Sequence, residues 1–170
     1  MRAFDPSLLL VLAIAFGVSR AEPLVFERGG FAVDLPEGWT ARVDADEERL
    51  PGAASYTITN SSREGALAGA VLRIERRVGL NPLVRQRWML GRVPVGYHGA
   101  QPVEALRETP FGDAVGFVCA RGARREPTGF VFFLRHGEAY YAVQVETAPD
   151  DFAGAREALY GLATSVRFEG

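Results

Sequence analysis

Groups of glycine and proline residues divide this sequence into short segments, a spacing that favours β-strands over long helices. These groups lie at positions 29–30, 36–38, 51–52, 110–112 and 127–129, and such residues mark turns because they break regular structure. Apolar residues alternate with others between the turns. Phe31, Val33 and Leu35, for example, fall on one face of a strand. The chain is therefore predicted to be rich in short strands.

The third quarter of the chain has the strongest β-strand pattern. The segments DAVGFVCARG, TGFVFFLRHG and AYYAVQVET are rich in aromatic and β-branched residues. They predict a three-stranded antiparallel meander with turns at 122–127 and 136–138. In its last strand the side that holds Tyr141, Val143 and Val145 is expected to face a packed layer. Residues 56–59 and 66–76 are predicted as two further strands.

Two segments have the spacing of helices. The first spans about 81–93, with Asn81 as N-cap, Pro82 at the first helical position, and Leu83, Trp88 and Leu90 available for packing.

The second predicted helix follows Asp150 and Asp151, whose charges suit the positive end of a helix dipole. Apolar residues recur along it at helical spacing, and a closing strand is predicted at 165–168 directly afterwards. The helical apolar positions are Phe152, Ala155, Leu159 and Leu162.

The first 21 residues have the pattern of a cleavable export signal. An apolar core, LLLVLAIAFGV, precedes the small-x-small triplet that ends at Ala21. As a helix this core would be only about 16 Å long, well short of the roughly 30 Å of membrane hydrocarbon. We expect cleavage after Ala21, no stable membrane span in the mature chain, and a single domain over residues 22–170 located in the periplasm or secreted.

The charge balance argues against nucleic acid as a partner. Nineteen basic and 21 acidic residues leave a net charge of -2, which lacks the basic footprint of a nucleic-acid-binding domain. Arg121, Arg124 and Arg125 crowd one predicted turn, where guanidinium groups could bind an acidic partner surface. Ordinary solvated turn charges are the alternative interpretation.

Recognisable catalytic motifs are missing from the sequence. There is no GxSxG or SxxK motif, and Gly29–Gly30 is not followed by the helix of a phosphate loop. In the alternating strand pattern, Cys119 has a position typical of a small buried hydrophobic residue. The alternative interpretation of this cysteine is a nucleophile paired with His98 or His136. The sequence therefore predicts a protein that is not an enzyme and has no cofactor.

Metal-binding patterns are weak as well. His98 and His136 do not form a spaced ligand pair, and the acidic run at 44–48 lacks the spacing of a calcium loop. We predict no metal site from these residues.

A small-ligand pocket is a competing possibility, placed between the sheet and the helix at 81–93. Its aromatic walls would come from Trp88, Tyr97, His98, Tyr140 and Tyr141. Packing of these aromatic residues in the core is the other explanation for them.

Two short motifs resemble the PsbP-like superfamily, which includes PsbP, Mog-type and DcrB-like proteins. The first is F-x-V-x-L-P-x-G-W at 31–39, where Pro36 ends a strand and Trp39 is expected to cover the end of the core. The second runs from AYYAVQVETAP to SVRF, at 139–168. The resemblance implies an α+β fold, an αβα sandwich with a central antiparallel sheet flanked by helices, used for binding proteins.

These observations predict an exported, non-catalytic accessory or interaction module of the bacterial envelope, which binds another envelope protein. The alternative is a periplasmic protein that binds a small ligand or a metal.

Overall fold

The computed structural model describes residues 23–35, 38–43, 53–86, 88 and 101–169, with the backbone alone at residues 43 and 101–103. Several predictions concern residues outside these ranges. They are the export signal at 1–21, Pro36, the acidic run at 44–48, Leu90, Tyr97 and His98.

Ten strands and one main helix make up the described structure. Its strands are β1 (Leu24–Phe26), β2 (Phe31–Val33), β3 (Trp39–Val43), β4 (Ala53–Asn60), β5 (Val71–Val78), β6 (Gln101–Ala105), β7 (Val115–Arg121), β8 (Glu126–His136), β9 (Ala139–Glu146) and β10 (Val166–Phe168). The main helix, α1, is Phe152–Thr164, and the 3-10 turn Pro149–Asp151 leads into it. Residues 82–86 are also helical.

The strands form two antiparallel sheets. A seven-stranded sheet has the order β3-β4-β5-β9-β8-β7-β6, and a three-stranded sheet has the order β1-β2-β10. The predicted meander is confirmed, because β7 pairs with β8 and β8 with β9. The FAVDLPEGW motif begins with β2 of the small sheet and ends at the first residue of β3, the edge strand of the large sheet, so it connects the two sheets along the chain.

The main core lies between α1, the small sheet and one face of the large sheet. All four apolar positions predicted for the helix are buried against this face. Tyr141, Val143 and Val145 of β9 meet them from the sheet, as the alternation predicted. Burial of this apolar surface is the main driving force for the fold.

The opposite face of the large sheet is buried as well, which simple alternation did not predict. Ala142, Gln144 and Glu146 of β9 have exposures of 0%, 0% and 3%. In the fold as a whole antiparallel sheet dominates, and α1 covers one face of the large sheet. Among the described residues, no helix is both long enough and apolar enough to cross a membrane.

Two sequence predictions need correction, and one is confirmed. The strand predicted at 66–76 begins only at Val71, because residues 61–70 form turns closed by backbone hydrogen bonds. Leu83, predicted to pack, is 73% exposed. Asn81 does act as N-cap, since its Oδ1 accepts a hydrogen bond of 2.9 Å from the backbone N–H of Val84.

Candidate binding face

The face of the large sheet opposite α1 has a distinct chemistry, and we call it the arginine face. Residues directly opposite in adjacent strands point to the same side of a sheet, so the pairing register identifies its members. Among the residues that the structure describes, five arginines belong to it: Arg42, Arg73, Arg77, Arg121 and Arg135. Glu75 and Glu146 are buried carboxylates on the same face. This basic surface contrasts with the net charge of -2 of the whole chain.

One end of the arginine face holds a groove of about 300 Å³, which we call the aromatic groove. Tyr140 is one of its lining residues. Its hydroxyl accepts a 2.9 Å hydrogen bond from Arg85 Nη1, and the guanidinium of Arg135 lies 5.8 Å from its ring centroid. Trp88 packs edge-on against Phe133 with 5.8 Å between ring centroids. The other lining residues are Asp113, Val115 and Leu134.

Trp88 is held in place by the charged layer beneath it. Its indole N–H donates a 3.1 Å hydrogen bond to Oε1 of Glu75, and that same oxygen forms a 2.6 Å ion pair with Arg77. A buried carboxylate needs such partners, because an unpaired charge in the interior is costly. The Trp88 ring therefore has a defined position over the sheet.

The other end of the arginine face centres on Glu146. Arg121 donates from Nε and Nη2 to the two carboxylate oxygens, at 3.2 and 2.7 Å. Arg73 Nη1 donates to Oε2 at 2.9 Å, and the Thr128 hydroxyl donates to Oε1 at 3.1 Å. The hydrogen bonds that Arg121 donates to Glu146 raise the pKa of Arg121 above its already high ordinary value, so this guanidinium is always charged.

A second groove, of about 250 Å³, opens beside this cluster, and we call it the arginine groove. Arg73, Arg121 and Glu146 line it together with Thr147. The hydroxyl of Thr147 is buried and has no hydrogen-bond partner within the part of the chain that the structure describes. The remaining lining residues are Gly69, Val71, Ala148 and Pro149.

The structure divides the aromatic residues predicted for a ligand pocket. Trp88 and Tyr140 do line one groove. Tyr141 lies on the opposite face, where its hydroxyl donates a 3.0 Å hydrogen bond to the Gly29 carbonyl and its ring contacts Phe168. Adjacent residues of a strand point to opposite faces, so placing Tyr140 and Tyr141 in one pocket wall was wrong.

The three arginines predicted as a partner site are likewise in different surroundings. Arg124 and Arg125 lie exposed in the turn between β7 and β8. Arg121 ends β7 and turns onto the arginine face toward Glu146. Nothing in the sequence linked Arg73 to Glu146, or Arg85 to Tyr140.

Cys119 and His136 lie on opposite faces of the sheet. Cys119 is fully buried with Val131 and Phe133 on the arginine face, whereas the His136 ring lies 5.7 Å from Phe168 on the α1 side. Burial raises the pKa of the Cys119 thiol to about 12, and the nearby charge of Glu146 adds to the increase. The structure thus does not pair these two side chains for catalysis. In the described ranges no three potential metal ligands cluster together.

A large antiparallel sheet with a helix on one face, and a smaller antiparallel sheet that shares the core on that face, is a PsbP-like fold. The fold is similar to that of the solution structure of cyanobacterial PsbP (CyanoP) from Synechocystis sp. PCC 6803. The two share a TM-score of 0.57 over 91% of this chain and 95% of that one, at 14% sequence identity. No protein-family model matches the sequence, and no curated protein matches it either.

Proposed function

We propose that this protein is an exported, non-catalytic interaction module of the bacterial envelope, which docks an acidic segment of another envelope protein in the aromatic groove. The observation that supports this most strongly is the juxtaposition of Trp88 and Tyr140 with Arg85 and Arg135. Tryptophan, tyrosine and arginine are the residues that contribute most binding energy at protein interfaces.

Exposure and charge favour a protein partner at this groove. Val115 in the groove wall is 46% exposed, as is Val84, which neighbours Arg85 in sequence. Apolar surface beside cationic side chains complements a segment that contains both acidic and apolar residues. Arg85 and Arg135 would then pair with partner carboxylates while the aromatic rings pack against its apolar groups.

We also propose that the fold is the αβα sandwich predicted from the sequence. In this sandwich, the helical residues 82–86 start a second helical layer over the arginine face, on the side of the large sheet opposite α1. The contact between Trp88 and Phe133 supports such a layer.

A small ligand is the alternative occupant, and one observation favours it. The aromatic groove lies between the sheet and the helical residues 82–86, where the sequence predicted a pocket. Its volume of about 300 Å³ is at the lower limit of small-molecule pockets, which favours a protein segment. Native mass spectrometry of the purified mature chain separates the two, because a retained small ligand adds a discrete mass.

Export is tested by cell fractionation followed by N-terminal sequencing. The proposal expects the mature protein in the periplasm or medium, starting at Glu22. A full-length cytoplasmic product would refute this part of the proposal.

Docking is tested by site-specific photocrosslinking in the native host. A photoreactive residue at Val115 is expected to crosslink a partner, and one at the exposed Ala153 of α1 is the control. The substitutions Arg135→Glu and Tyr140→Ala should abolish the crosslink, whereas Arg63→Glu, at an exposed residue in the wall of a different groove, should not. Equal crosslinking from Val115 and Ala153 would contradict a specific site.

Substitution of Arg124 and Arg125, in the turn between β7 and β8, extends the crosslinking experiment to the second candidate docking site. If Arg124→Glu with Arg125→Glu abolishes the crosslink while Arg135→Glu preserves it, the partner docks at the β7–β8 turn and the aromatic groove is the wrong location.

A further inference from the structure

We propose that the arginine groove is a binding site for a small oxyanion, a carboxylate or phosphate group, held by Arg73, Arg121 and the hydroxyl of Thr147. This site lies at the opposite end of the arginine face from the aromatic groove, and its lining residues are different. The inference concerns the isolated protein and does not depend on the docking proposal.

The charge around the groove favours an anion. Arg73 and Arg121 share the single carboxylate of Glu146, and both contact the same oxygen, Oε2. Cys119 beside the cluster remains neutral, because burial raises its pKa to about 12. Two guanidinium groups around one carboxylate leave an excess positive charge that an anion would neutralise.

Arg73 and Arg121 have more hydrogen-bond donors than Glu146 accepts. A guanidinium has five N–H donors, and Glu146 accepts two from Arg121 and one from Arg73. Each arginine therefore has further N–H groups. The side chain of Arg121 is 40% exposed and that of Arg73 is 19% exposed, so solutes can approach both.

Thr147 supports the site independently of the arginines. It is one of the residues that line the groove, it is 8% exposed, and its buried hydroxyl lacks a hydrogen-bond partner in the described structure. A buried hydroxyl without a partner is destabilising. A bound oxyanion would accept its hydrogen bond and at the same time contact the guanidinium groups.

Of the described acidic residues, only Glu146 lines this groove. Asp150 and Asp151 line a separate groove together with Arg63. Glu146 is the acidic residue in the wall of the arginine groove, and the two arginines and Thr128 already bind its oxygens. The pocket of about 250 Å³ has room for a single oxyanion group.

The test is titration of the purified mature protein with inorganic phosphate and, separately, with acetate, followed by NMR of backbone amides in a buffer free of other oxyanions. Saturable shifts are expected around Arg73, Arg121 and Thr147. The substitution Thr147→Val preserves the side-chain shape and removes the hydroxyl, so it should weaken binding about tenfold, equivalent to about 1.4 kcal/mol. Arg121→Gln should weaken binding at least as much.

Arg124→Gln, in the exposed turn next to the same strand, is the matched control and should leave the affinity unchanged. Saturation with phosphate alone would assign the site to phosphate groups, and saturation with both probes would assign it to oxyanions in general, including partner carboxylates. The inference is overturned if neither probe saturates, or if Arg124→Gln weakens binding as much as Arg121→Gln. Because Thr147→Val should also raise the unfolding midpoint of the ligand-free protein, lost binding cannot be attributed to misfolding.

Discussion

Replacement of Glu146 by glutamine tests whether the charged cluster on the arginine face stabilises the fold. Glutamine has nearly the same shape, so the packing of β9 against its neighbours stays intact. The negative charge disappears, however, and an NH2 group takes the place of one oxygen that now accepts from Arg73, Arg121 or Thr128. A donor then faces a donor, and two guanidinium groups lose their counter-charge.

The size of the effect follows from burial. Removing one partner of a fully buried ion pair costs about 3–5 kcal/mol. Glu146 meets that condition, with 4% side-chain exposure, but Arg73 and Arg121 are 19% and 40% exposed, and water screens their charges. We therefore expect Glu146→Gln to lower the free energy of unfolding by about 2 kcal/mol, or about 4–8 °C in melting temperature for a chain of this size.

Urea denaturation followed by circular dichroism measures this difference. The midpoint should fall with an unchanged m-value, because the same surface is exposed on unfolding. Glu138→Gln, at the exposed turn between β8 and β9, is the control and should change stability by less than about 0.5 kcal/mol. If Glu146→Gln and Glu138→Gln have equal midpoints, the cluster does not stabilise the fold and the reasoning is refuted.

Four further predictions concern the fold. Gly129→Ala should destabilise the protein by about 3 kcal/mol or more, because a Cβ would overlap the Val145 carbonyl oxygen in the centre of the sheet. Gly154→Ala, with open space around it in α1, should stabilise the protein by up to about 1 kcal/mol. Thermal melts in which both variants shift the melting temperature in the same direction would contradict this. Tyr141→Phe should cost about 1 kcal/mol in urea denaturation, since the Gly29 carbonyl loses its donor, and should leave partner crosslinking intact if the side chain is structural. Trp39→Ala should lower the free energy of unfolding by about 2–3 kcal/mol in the same assay. This is less than the roughly 3–5 kcal/mol for a fully buried tryptophan, because the ring is only partly buried. A variant of full stability that no longer binds the partner would show a binding role instead. Cys119 should resist alkylation in the folded state, and rapid labelling at neutral pH would contradict its burial. The stability gained by burying its neutral thiol should be present below pH 9.0 and lost as the pH rises toward about 12. The free energy of unfolding of Cys119→Ala should therefore fall less at alkaline pH.

Much of the secondary structure could be predicted because its signals are local. The meander, the apolar stripe of α1 and the Asn81 cap each depend on residues close together in sequence. The start of β5 could not be predicted in this way. Alternation continues through residues 66–70, but backbone hydrogen bonds such as Ala68 N–H to the Gly65 carbonyl close turns there.

The candidate sites were predictable only in part. Trp88 and Tyr140 were predicted to share a pocket, and the structure places both in the aromatic groove. Tyr141 was assigned to the same wall although it follows Tyr140 directly in a strand. The arginine groove was not predicted, since Arg73 and Glu146 lie 73 positions apart and meet only because β5 pairs with β9.

The sequence by itself determined the meander, its turns and the main helix, because apolar periodicity and turn residues act over a few positions. The PsbP-like resemblance also came from short motifs of this kind. Only the tertiary structure decided which strands are neighbours, and therefore which charges meet. Placing β9 between β5 and β8 brings Arg73, Arg121 and Glu146 together on the face away from α1. Long-range strand order depends on the free energy of the whole core, so no local pattern specifies it.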